Sequence, residues 1–183
     1  MARLPYLDAD QVAPEHREMV GDLNLNKLLV HSPAMARAFN RLGARIRLGN
    51  TVDPRLRELA ILQVGWVARS AYEFTHHVEI GRECGVTDTD IQAMIAETEG
   101  KGSTIDPLAK AVLAGAREMA DEGGMSDATF ASLSQELSDE QMVDLLVTTA
   151  FYCGVVRVLA SLQIDLEPAY AAVLQEFPFP DAR

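Results

Sequence analysis

Between Leu59 and Ala68 the chain offers a single polar side chain, Gln63. A helix that is apolar nearly all round cannot lie on a surface, so this segment has to run through the middle of a helical core. Its start is marked by Asp53 and Pro54, a capping carboxylate followed by proline at the first helical position, where the missing N–H costs nothing. Glu58 falls in the opening turns, where the helix dipole favours a negative charge. Ser70 breaks the segment and caps a second helix, which stops at Gly85. On that second helix Ser70, Glu73 and His77 stand at i, i+3 and i+7 and share one face, while Tyr72 and His76 share another. A hydroxyl, two carboxylates and an imidazole are thus delivered beside the most apolar stretch of the chain.

The rest of the sequence also reads as helices, with no strand alternation. A helix is expected over 14–22, then a turn at Asn24 and Asn26. A helix capped by Ser32 follows, with Pro33 at its first position and Met35, Phe39, Leu42 and Ile46 as its apolar stripe. Thr87 and Asp90 form a variant capping box, Asp106 and Pro107 repeat the cap–proline signal, and Ser126 opens a helix to about 137. Ser138 with Gln141 caps a long apolar helix to about 162, and a last short helix runs from Pro168 to about Phe177, before an irregular tail over 178–183. The Gly100–Ser103 turn is the best candidate for a mobile loop. The expectation is an all-α bundle of about eight or nine helices, one domain over residues 1–183.

The spacing in the central pair resembles a known pattern. Glu58, eleven intervening residues, then Ser70-x-x-Glu73-x-x-x-His77 is similar to the motif of the carboxymuconolactone decarboxylase family, which includes the AhpD-like proteins. In the peroxidase branch two cysteines stand where this chain has Ser70 and Glu73, and a histidine where it has Tyr72. The chain resembles the branch that lacks the cysteine pair. The resemblance implies an AhpD-like helical bundle, assembly as a homotrimer or a hexamer of trimers, and lyase chemistry of the kind used in aromatic compound catabolism.

On this reading Glu58, Tyr72, Glu73 and His77 are the expected catalytic residues around one apolar pocket, with Ser70 at its edge as a substrate-binding group. His77 is the general acid/base, Glu58 its partner or proton reservoir, Glu73 its orienter and Tyr72 a hydrogen-bond donor to a developing oxyanion. His76 is read as structural. Glu73 and His77 at i, i+4 with Glu58 have the donor types of a carboxylate-rich metal site, but the second Glu-x-x-His pair of a di-metal bundle is missing, so neither metal nor cofactor is expected. Decarboxylation, isomerisation or lyase chemistry on a small carbonyl or lactone substrate fits these groups. A non-catalytic binding or assembly protein is the alternative. Hydroperoxide reduction requires a thiolate pair, which Ser70 and Glu73 cannot supply.

Charge and apolar runs narrow the partners. The net charge of −11 repels phosphate backbones, so nucleic acid is not an expected partner, and no polybasic stretch is present to hold an anionic membrane. The apolar run 142–162 is interrupted by Asp144, Thr148, Thr149 and Arg157, which suits a core helix better than a membrane span. Cys84 and Cys153 form no metal or C-x-x-C pattern, and a cytoplasmic, redox-silent protein is expected.

Overall fold

The computed structural model describes residues 1–180. Within them nine α-helices follow in order: α1 (Asn24–Leu29), α2 (Pro33–Gly49), α3 (Pro54–Val67), α4 (Ala71–Glu83), α5 (Asp88–Thr98), α6 (Pro107–Asp121), α7 (Asp127–Leu133), α8 (Asp139–Leu162) and α9 (Val173–Glu176). Short 3-10 turns occupy Ala9–Gln11, Pro14–Met19 and Pro168–Tyr170, and no strand occurs among the described residues. The all-α expectation holds.

Helix α3 is the axis of the bundle. Every residue from Leu56 to Trp66 is buried, and the helix packs against α4, α5, α6 and α8. Asp53 caps it by accepting the amides of Arg55 and Leu56. Buried Gln63 donates to Thr98 Oγ1 at 3.0 Å, so the only uncharged polar side chain in the run is satisfied. Arg55 leaves the core and bonds Asp90 and Asp106, tying the starts of α5 and α6 to that of α3.

Two local features bring α4 back along α3. Arg69 adopts a left-handed conformation at φ 52°, which reverses the chain within one turn, and the Ser70 amide closes that turn on the Gly65 carbonyl at 2.9 Å. Gly65 itself faces α4. A Cβ there would sit 3.2 Å from the Phe74 amide nitrogen, so the two helix backbones approach more closely than a side chain would allow. Ser70 caps α4 through the Glu73 amide, and Gly85, at φ 90°, lies just past its end.

Several expected elements differ. The segment 14–22 is a 3-10 turn over Pro14–Met19, and the stretch read as a turn at Asn24 and Asn26 is helix α1. Tertiary contacts decide this: Leu28 is buried, and the Asn24 amide and side chain bond Glu167 and the Asp165 carbonyl, far along the chain. Pro33 starts α2, but the Ser32 side chain makes no cap bond. The α2 stripe is only half used, with Ile46 buried and Met35 63% exposed. Helix α7 ends at Leu133 rather than near 137, and the last expected helix splits into Pro168–Tyr170 and Val173–Glu176. Residues 181–183 of the expected irregular tail lie outside the described residues.

Helix α8 has the length and hydropathy to cross a bilayer. It packs instead along α3 and α6, as a core helix does. The Gly65 contact yields a direct expectation. Gly65→Val forces α3 and α4 apart and should cost at least about 2 kcal/mol of unfolding free energy, read from the denaturant midpoint.

Candidate active site

Glu58 is 0% exposed, one turn into α3. A carboxylate so placed must be paired. Arg57 Nε donates to its Oε1 at 3.0 Å, and Arg57 is itself held by the Arg47 carbonyl at 3.3 Å. The other oxygen, Oε2, lies 2.7 Å from Nδ1 of His77, which α4 brings alongside. His77 Nε2 in turn lies 3.0 Å from Oε1 of Glu73, one turn back on the same helix. Arg57, Glu58, His77 and Glu73 thus form a row of alternating charge, and all four are buried.

The row fixes the protonation of its members. Burial alone disfavours a charged imidazole, but carboxylates at both ring nitrogens outweigh it and raise His77 to about 9. Burial would likewise raise Glu58, yet the hydrogen bond and charge of His77, with Arg57, hold it below the ordinary carboxylate range. At neutral pH His77 is therefore held as the imidazolium and Glu58 as the carboxylate.

Glu73 and His77 border a cavity of about 380 Å³, to which α4 also contributes Tyr72 and His76. Helix α2 adds Phe39 and Arg47, α8 adds Phe151 and Tyr152, and Leu23 and Leu25 close one side. Glu58 does not reach the cavity, and touches it only through His77. A smaller cleft of about 220 Å³ beside Val64, Asp121 and Arg157 holds none of these groups.

Three sequence assignments change. Ser70 does not border the cavity: its hydroxyl accepts the Glu73 amide at 3.4 Å, so it is a helix cap rather than a substrate-binding group. Tyr72 lines the cavity, but its hydroxyl donates to Glu167 Oε1 at 3.0 Å and accepts the Leu25 amide at 3.2 Å, so it is not free to serve a ligand oxyanion. His76, read as pointing elsewhere, lines the same cavity. Its Nδ1 donates to the Tyr72 carbonyl at 2.6 Å, and its ring lies between Tyr72 and Tyr170, with centroids 4.2 and 3.8 Å away. Its Nε2 faces Glu167 Oε2 at 3.2 Å.

Glu167, Arg47 and Tyr152 were absent from the sequence reading. No spacing links Glu167 to Tyr72, since the two meet across 95 positions, and Tyr152 sits in a run that looks like plain core. Arg57 was recognisable only as a neighbour of Glu58. Cys84 and Cys153 are free thiols. Burial, with the Glu58 charge, pushes the Cys84 thiol up, while Arg57 Nη2 donates to its sulfur at 3.4 Å.

The helices that carry the buried Glu58–His77–Glu73 row are arranged in an AhpD-like fold. Residues 33–100 match the model of the carboxymuconolactone decarboxylase family. Similar folds include the alkylhydroperoxidase AhpD core of a peroxidase-related protein from Ralstonia eutropha, at 20% identity and a TM-score of 0.76 over 92% of this chain and 94% of that one. The debrominase Bmp8, in a cysteine-to-alanine variant bound to 2,3,4-tribromopyrrole, has 22% identity and a TM-score of 0.76 over 96% of this chain and 95% of that one. A peroxidase-related protein from Silicibacter sp. TM1040 has 18% identity and a TM-score of 0.69 over 92% of each chain. No curated protein matches the sequence at a significant level.

The charge row makes stability pH-dependent. His77 is raised in the fold, so its contribution is complete below about 6.5, its ordinary value, and is lost as pH rises through about 9. Thermal unfolding should show a stability loss of roughly 2–4 kcal/mol across that window. In His77→Gln the same window should be flat.

Proposed function

We propose that this protein is a cofactor-free acid–base enzyme of the lyase or isomerase type. Its substrate is a small carbonyl or lactone compound, and its setting is cytoplasmic catabolism of aromatic compounds. The observation that carries the reading is the Glu73–His77 pair on the cavity wall, with Glu58 and Arg57 buried behind it. The match of residues 33–100 to the carboxymuconolactone decarboxylase family model supports it.

The chemistry follows from the row. In a decarboxylation the bond to the departing carboxylate breaks, carbon dioxide leaves, and the electron pair remains on the substrate as a carbanion or enolate. The imidazolium of His77 supplies the proton that quenches it, directly or through Glu73, and solvent then restores the proton through Glu73. In an isomerisation Glu73 takes a proton from one carbon and returns it to another. Glu58 keeps Nδ1 protonated throughout, so the proton on Nε2 is the one that moves. Thiol chemistry has no part in either route. At the two positions where the peroxidase branch has cysteines, this chain has a cap hydroxyl and a carboxylate.

Release of carbon dioxide, or uptake of solvent deuterium, from a panel of small β-keto acids and lactone acids tests the proposal. Turnover of at least one member should fall by roughly 10²–10⁴ in Glu73→Gln and in His77→Gln, with far-UV circular dichroism unchanged. Ligand binding without turnover across the panel would instead assign a binding role.

We also propose assembly as a homotrimer or a hexamer of trimers. Exposed apolar side chains on the two helices that wall the cavity support it, Met35 and Leu42 on α2 and Val143 and Val147 on α8. Light scattering at micromolar concentration should give at least three times the chain mass. Met35→Glu with Val143→Glu should lower that mass.

A further inference from the structure

An acid–base site that forms an enolate needs more than a proton carrier. It needs a group to hold the oxygen on which charge accumulates. Two tyrosines line the cavity, and the hydroxyl of Tyr72 is spent on Glu167. Tyr152 is different. It is only 5% exposed, and its ring stands edge-on to His77 with centroids 4.9 Å apart and planes at 83°. Among the described residues its hydroxyl has no hydrogen-bond partner, and it is not sealed from solvent. A buried ring whose polar end remains uncommitted beside a reactive imidazole is unusual, because buried tyrosine hydroxyls are normally paired.

A cation stands on the same wall. Among the described residues Arg47 is the only arginine or lysine bordering the cavity. It makes no ion pair among the described residues, and only its backbone carbonyl is engaged, by Arg57. Its charge acts on Tyr152, together with those of Glu73 and Glu58. Burial foremost, and then the two carboxylates, push the Tyr152 phenol up, so the hydroxyl keeps its proton and is available as a donor. The remaining walls, including Phe39, Phe151, Ile80 and Val155, are apolar and partly aromatic.

We propose that Tyr152 and Arg47 form the oxyanion-holding side of this cavity, selecting small single-ring ligands whose carbonyl oxygen becomes an enolate or phenolate-like anion. The chemical step assigned to Glu73 and His77 gives this pair its use. As the bond to hydrogen or to the carboxylate carbon breaks, its electron pair flows through the unsaturated system onto the carbonyl oxygen. The Tyr152 O–H donates to that oxygen without giving up its proton, and the Arg47 guanidinium offsets the charge. When the carbon is reprotonated from His77, the electron pair returns and the carbonyl re-forms. No oxidant or reductant is consumed.

The inference rests on the acid–base reading for its chemistry, but its binding half is tested separately. The probe is 4-nitrophenol, a single ring with a delocalised oxyanion. Titrated into the wild-type protein at neutral pH, it should bind as the phenolate, seen as growth of the yellow phenolate absorption. Affinity should fall about tenfold or more in Tyr152→Phe, which keeps the ring packing on His77, and in Arg47→Gln. Thermal melts should confirm that both variants are folded. Glu73→Gln should retain phenolate binding while losing turnover on the acid panel, so failure of the acid–base reading and failure of the oxyanion site are separable. Binding of the neutral phenol only, no binding to the wild type, or undiminished affinity in either variant would overturn the proposal.

Discussion

A carboxylate with no exposed surface is the constraint on which this structure turns. Glu58 sits inside the helix that the whole bundle surrounds, and an isolated charge there would be prohibitively costly. It is tolerated because Arg57 takes one oxygen and His77 the other. His77 belongs to α4, so neutralising Glu58 and docking α4 on α3 are one event. Glu73 then completes the row at the cavity wall, and the net charge of the four groups is zero. Removing a single partner from such a pair generally costs about 3–5 kcal/mol, because the remaining charge stays buried. The site is therefore part of the reason the central hairpin closes in register.

Helix α4 divides its work between two neighbouring pairs of residues. Glu73 and His77, four apart, face Glu58. Tyr72 and His76, also four apart and each one position earlier, face Glu167 and the stretch at Asn24 and Leu25. The first pair completes the buried charge row at the cavity wall. The second fastens the N-terminal and C-terminal segments to the side of the cavity, with Glu167 Oε1 accepting both the Tyr72 hydroxyl and the Asn24 amide. A single residue of helical register separates chemistry from architecture, which explains how Tyr72 and His76 can line the cavity while their best polar atoms are engaged elsewhere.

Local signals in the sequence identified the central hairpin well. The Asp53–Pro54 start, the Ser70 cap and the apolar run to Ala68 all describe backbone preferences that tertiary packing did not need to override. The i, i+4 relation of Glu73 and His77 was readable for the same reason. What escaped was long-range. Helix α1 forms where polar Asn24 and Asn26 signal a turn, because Leu28 is buried and Glu167 anchors the segment from the far end of the chain. Tyr152 was hidden by its own surroundings: in a helix that is apolar nearly throughout, nothing local distinguishes a tyrosine whose hydroxyl packs idly from one that opens on a cavity.

Ser70 and Glu73, at the two motif positions where the pattern this chain resembles carries cysteines, have a simple physical content. A thiolate near a helix N-terminus is favoured by the dipole and by unpaired amides, which is the setting for electron-pair chemistry at sulfur. Here the N-cap position holds Ser70, whose oxygen accepts the Glu73 amide, and the next position of the motif holds Glu73, a carboxylate favoured by the same dipole. The backbone field is unchanged, but the group it stabilises carries charge without being a sulfur nucleophile. Because Glu73 also bonds His77, the field is coupled to the buried Glu58 through an imidazolium. Two side chains on one helical turn thus set what the backbone field acts on, while Glu58 and His77 stay where folding requires them.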